Sequence, residues 1–155
     1  MKRLHRRRER LCHTQKNETR RGTALVEFAL CLPLLVTVVL GIIEFGRGMM
    51  VSELVNNAAR EGTRQAIMAG TTNSDVTTTV TNFLQAAGLN AQYVTVTITV
   101  TAATGNPNPN NQVGAAKMRD LCTTQVQIPF DRVSYIPGSY LKGKQLKATC
   151  SMRHE

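Results

Sequence analysis

The sequence predicts an α+β protein: a long N-terminal transmembrane helix that continues outside the membrane, a second helix, and a small antiparallel sheet of about three strands. Three observations carry that expectation. From Thr23 to Ile43 the chain is mostly apolar, and Glu27 is its only charged residue. From Glu44 to about Met68 no proline intervenes, and apolar residues return near helical spacing. From Tyr93 to Thr101 valine or isoleucine alternates with threonine, the period-2 pattern of a half-buried strand.

A chain of 155 residues holds one small domain plus a membrane segment. The net charge of +9 is unevenly placed. Residues 1–22 carry nine Lys/Arg against Glu9 and Glu18, while the remaining 133 residues carry ten basic and eight acidic side chains. A nucleic-acid-binding domain carries its basic patch on the folded part, so no nucleic-acid partner is expected. A basic block directly before an apolar span instead keeps its end of the chain cytoplasmic and touches anionic lipid headgroups. The expected placement is single-pass in the cytoplasmic membrane, with the N-terminus cytoplasmic and the C-terminal domain outside. The expected divisions are a basic leader over 1–22, a transmembrane and extended amphipathic helix over 23–69, and a small extracytoplasmic domain over 70–155.

The 21 residues from Thr23 to Ile43 span about 31 Å as a helix, enough to cross a bilayer. Pro33 removes one backbone hydrogen bond there, which membrane helices tolerate. Beyond the span, Phe45, Met49, Met50, Leu54, Val55, Ala58, Ala59 and Ile67 predict that the helix continues, to roughly 45 residues in all. Glu44–Arg47 and Glu61–Arg64 are spaced as i,i+3 pairs. Gly70-Thr71-Thr72-Asn73 marks a break. Ser74 then suits the N-cap of a second helix, with Val76, Val80, Phe83, Leu84 and Ala87 on one stripe and Gly88 as its stop. The Asn/Pro-rich stretch Gly105–Asn111 reads as an exposed loop. Two more strands follow, one with Cys122, Thr124, Val126 and Ile128 on its inward face, the other with Leu146, Ala148, Cys150 and Met152.

Four cysteines divide by compartment. Cys12 falls in the leader and Cys31 in the span, neither placed for a structural disulfide. Cys122 and Cys150 fall on inward faces outside the cytoplasm, where disulfides persist. A Cys122–Cys150 bridge is the expectation if their strands are close neighbours; two separate buried thiols are the alternative. Cys12-His13 has no second ligand pair at zinc spacing, so no metal and no cofactor are expected.

Gly22, then Thr23 as a new N-terminus, then Glu27 as its fifth residue, resembles a type IV prepilin cleavage and assembly site. The resemblance implies that a prepilin peptidase cuts after Gly22 on the cytoplasmic side and leaves the apolar helix attached. It also implies that Glu27 neutralises the amino terminus of a neighbouring subunit as helices bundle. The physics agrees, because an unpaired carboxylate and an unpaired ammonium are each costly in a low-dielectric bundle. The wider text is similar to the TadE-like family, minor pseudopilins of the tight-adherence (Flp pilus) system, over about residues 21–69. It does so through Arg21–Leu30, Leu32–Leu35, Gly41–Arg47 (with Glu44, Phe45, Gly46 and Arg47) and Asn57–Arg64 (with Arg60, Glu61 and Gly62). The resemblance implies a pilin-like fold and a role in pilus assembly. The implied partners are the peptidase, other pilins or pseudopilins, and membrane platform proteins of the pilus machine. Thr23 departs from the bulky apolar residue commonest at the first mature position, which bears on N-methylation more than on cleavage. The added C-terminal domain favours a minor or assembly role over that of the bulk filament subunit.

A cleaved secretory signal lacks its small-x-small exit site here, and Glu27 is out of place in its apolar region. A signal-anchor helix with Glu27 near the interface is the plainer alternative. A membrane-anchored extracytoplasmic binding or sensor module, using the threonine-rich sheet and the Asn/Pro loop, is the second functional hypothesis. No enzyme is expected: the part outside the membrane has no histidine but His154, no nucleophile elbow and no phosphate-binding glycine loop. Asp75, Asp120 and Asp131 read as caps or solvated turn residues.

Overall fold

The computed structural model describes residues 2–134 and 142–154, with residues 2–21 as helix backbone alone. The expectations placed on Cys12, His13 and the leader's charged side chains lie outside the described residues. The elements are α1 (Lys2–Ala66), α2 (Asn73–Ala86), β1 (Thr95–Thr101), β2 (Leu121–Pro129) and β3 (Gln145–Arg153). The chain divides into two compact units, one ending at Ile42 and the other beginning at Ile43.

Helix α1 is 65 residues long and passes through Pro33. It exceeds the expected 45 because it begins in the leader, where residues 2–21 contain neither glycine nor proline and many good helix formers. In the first unit its described surface is apolar and open. Leu25, Val26, Phe28, Leu30 and Leu34 are all exposed. Gly22–Ala66 contains an apolar window of mean hydropathy 2.5 and is long and apolar enough to cross a membrane. A helix satisfies its own backbone polar groups, so such a surface suits hydrocarbon. Thr37 Oγ1 donates to the Pro33 carbonyl at 2.8 Å, keeping its hydroxyl bonded within the helix.

The second unit is a three-stranded antiparallel sheet, in the order β1-β2-β3, with the outer stretch of α1 and with α2 against one face. The face α1 buries differs from the expected stripe. Glu44, Gly48, Val51, Val55, Ala58, Ala59, Gly62, Thr63 and Ala66 are buried, whereas Phe45, Met49 and Met50 stay exposed. The packing stripe is built of small and β-branched residues, which let helix and sheet approach closely. Long side chains would hold the two apart.

Helix α2 buries Val76, Val80 and Leu84, as its periodicity predicts. Its N-cap is Thr72 rather than Ser74. The Thr72 hydroxyl accepts from the Asp75 amide, and the Asp75 carboxylate accepts from the Thr72 amide at 2.9 Å, a reciprocal capping box. Gly88 ends the helix at φ +82°, a left-handed conformation that glycine adopts freely.

Strand β1 starts at Thr95, two residues later than the alternation begins. Asn90 caps a short 3₁₀ turn over Ala91–Tyr93 instead. The register aligns Val96 with Val126 and Val126 with Ala148 on the inward face. On the outward face Thr95, Thr97 and Thr99 lie opposite Gln127, Gln125 and Thr123. The core gathers Val51, Val55, Leu84, Ile128 and Phe130, all 1% exposed or less. Each such aliphatic or aromatic side chain contributes about 1.5–3 kcal/mol by leaving water.

Candidate functional site

The sequence-predicted residues fall into three groups. In the first unit Gly22, Thr23 and Glu27 lie on α1, all exposed. Gly22 lies within the continuous helix, and a Cβ added there would meet nothing within 4 Å. Glu27 lies between Val26 and Phe28, which are 60% and 62% exposed, and so presents a carboxylate on an otherwise apolar helix surface.

The second group is a clasp in the second unit. Glu44 is only 2% exposed. Ser134 Oγ donates to Glu44 Oε1 at 3.4 Å, and Arg47 Nε donates to the Val133 carbonyl at 3.2 Å. One turn of α1 thus fastens the chain leaving β2, using the acidic and basic members of the 44–47 motif. Phe45 and Gly46, between them, are exposed and touch none of this.

The third group is a close approach. A Cβ on Gly62 would lie 2.5 Å from Val80 Cγ2 and 3.2 Å from Thr124 Cγ2, so α1, α2 and β2 meet where only glycine fits. The next residue, Thr63, is fully buried. Its hydroxyl donates to the Ala59 carbonyl at 2.7 Å and reaches the Cys150 carbonyl of β3 at 3.2 Å. Arg60 and Glu61 of the same motif face solvent, and Glu61 forms no ion pair with Arg64 among the described residues.

Cys122 and Cys150 share the inward face but are free thiols rather than the expected bridge. The register explains the correction. Cys122 stands opposite Met152 and Cys150 opposite Thr124, making the cysteines diagonal neighbours. Diagonal positions lie about 7–8 Å apart, beyond the usual Cα reach of a disulfide. Burial, and then the nearby Asp120 charge, push the Cys122 thiol up from its ordinary value.

Asp120 is a residue the sequence reading undervalued. It is a buried anchor, not a solvated turn residue. Its carboxylate accepts from the Ala103 amide at 2.8 Å, the Asn106 Nδ2 at 2.6 Å and the Lys117 amide at 2.7 Å. Those bonds, led by the one from Ala103, hold its pKa below the ordinary carboxylate value. Its own backbone carbonyl accepts from the His154 amide at 2.8 Å, tying the long β1–β2 connection to the chain end. Nothing in the sequence marks Asp120, because its donors come from residues scattered over fourteen positions. Asp75, by contrast, is the cap residue expected, and Asp131 accepts from the exposed Gly143 amide at 3.0 Å.

Residues 22–64 match the model of a protein family described as TadE-like protein. The segment is TadE-like. All three groups described above begin or lie within it. The match starts at Gly22, takes in the Glu44–Arg47 clasp and ends two residues past Gly62. The match covers 43 of the 155 residues, and the helix it falls on is long and apolar enough to cross a membrane. No curated protein and no solved structure matches the chain.

Proposed function

We propose that this chain is a minor pseudopilin of a tight-adherence pilus, cut after Gly22 by a prepilin peptidase and assembled through its N-terminal helix. The observation that carries the reading is the coincidence at one place of three features. An open glycine ends a basic leader, an exposed carboxylate follows five residues later, and the TadE-like match begins at that glycine. Cleavage would place a new ammonium on Thr23. A carboxylate on a helix surface otherwise fit for hydrocarbon is costly alone, and a neighbour's ammonium relieves that cost. The proposed partners are therefore the peptidase, other pilins or pseudopilins, platform proteins of the machine, and membrane lipid.

The role needs no catalysis by this chain. The proposed topology keeps the leader cytoplasmic and places the sheet outside, consistent with the charge bias of residues 1–22. The test uses two variants in a piliated host. Gly22→Leu should block processing, seen as retention of the full-length band. Glu27→Ala should be cut normally but lower the number of assembled pili. Normal piliation by Glu27→Ala would remove the neutralising role from the account.

A further inference from the structure

We propose that the cleft between β1 and the Asn/Pro-rich loop is a binding site for a neutral, linear oligosaccharide. The cleft is shallow and open to solvent, with a volume of about 720 Å³. Its polar lining comes from Thr99, Thr101, Asn106, Asn108, Asn110 and Asn111, with no charged side chain.

Several carboxamides there are held by one end only. Asn111 Oδ1 accepts from the Val100 amide at 3.1 Å, which fixes its orientation and leaves Nδ2 to donate. Asn106 Nδ2 donates to Asp120 Oδ1 and to the Met118 carbonyl, leaving Oδ1 to accept. Asn108 Oδ1 accepts from the Asn110 amide at 3.0 Å and likewise keeps Nδ2. The free atoms are thus both donors and acceptors, set in place before any ligand arrives. Two strand hydroxyls, Thr99 and Thr101, do either. Vicinal sugar hydroxyls require such a mixture.

The neighbouring surface extends the argument. Thr99 also belongs to the outward sheet face, where threonine and glutamine side chains from β1 and β2 continue into Thr149 and Ser151 of β3. The charges on this face are Lys147, in the row of Thr95, and Arg153, in the row of Thr101, both on β3. A solvent-facing sheet surface ordinarily mixes charges of both signs. Both charges sit on β3, two strands from the cleft, whose own lining offers hydrogen bonds alone. An added peptide strand fits less well, because the Val100 amide that would pair with it is already taken by Asn111.

No aromatic ring lines the cleft, so stacking is missing and affinity rests on hydrogen bonds. The site is independent of whether the leader is cleaved.

The test is an amide chemical-shift titration of the full chain in phosphatidylcholine nanodiscs, free of glycosidic detergent. The probes are cellohexaose, maltohexaose and chitohexaose, with hexagalacturonate and a glycine-serine hexapeptide as controls. At least one neutral hexasaccharide should give saturable shifts at residues 99–111 and none over residues 76–86 of α2, beyond the Asn73–Asn111 hydrogen bond. The paired Thr99→Val/Thr101→Val variant, which keeps β-branching, should bind about tenfold more weakly. Asn110→Gly should weaken binding similarly, and glycine accepts the φ of +52° at that position. The proposal is overturned if no neutral hexasaccharide binds, if either control binds as tightly, or if both variants bind like the parent.

Discussion

At Gly62 a single hydrogen in place of a side chain decides how closely two helices and a strand meet. An alanine there would put its Cβ 2.5 Å from Val80 Cγ2, and the opposing groups are the branched side chains of a packed core. Gly62→Ala should cost about 1–3 kcal/mol in chemical denaturation, although alanine is the better helix former. A gain in stability would mean the contact is looser than described. Asp120 decides the β1–β2 connection in the same single-residue way. Asp75 and Asp120 both titrate below the ordinary value of 3.8 when folded. The folded state therefore binds fewer protons in acid than the unfolded chain does. Their contribution is complete above about pH 4 and is lost as pH falls through the lower folded values. Asp120→Asn turns an amide group toward donors that need an acceptor. The variant should melt earlier at neutral pH and show a shallower decline in acid. An unchanged acid profile would contradict the anchor role.

Among the elements, the stretch of α1 from Ile43 onward belongs to the second unit and packs on its sheet. The pattern marks the helix and half of its buried stripe: Val55, Ala58 and Ala59 are buried as expected, but the stripe's first turns are not. Phe45, Met49 and Met50 are the largest apolar residues available, yet the buried face is Gly48, Val51, Val55, Ala58 and Gly62. A periodicity count weights size, whereas close packing selects smallness. Strands were readable because a period of two, once one face is buried, admits only one assignment; β1 and its neighbours follow it. The register was not readable, since it depends on connections whose geometry the pattern does not encode. That is why the cysteines prove diagonal rather than opposed. The clasp shows the same division. Glu44 and Arg47 stand out in the sequence, but their partners, Ser134 and the Val133 carbonyl, lie far along the chain. Arg47→Ala should leave that carbonyl without its guanidinium partner and cost about 1 kcal/mol. Hydrogen exchange at 130–134 should quicken while α2 is unaffected; equal acceleration in both would assign Arg47 a global role instead.

For the molecule as a whole, charge and hydropathy divide the labour. Residues 1–22 hold most of the net charge, α1 holds the residues proposed for processing and assembly, and the outward sheet face is mostly threonine and glutamine. Glu27 links these parts: an exposed carboxylate on an apolar helix surface, placed where the proposed cleavage would supply an ammonium. The account therefore turns on the identity of the mature N-terminus. The direct measurement is the intact mass of the protein extracted from membranes of hosts with and without a prepilin peptidase. The account predicts a chain beginning at Thr23 in the peptidase-positive host and the full-length chain in the other. Full-length protein in both hosts would contradict it.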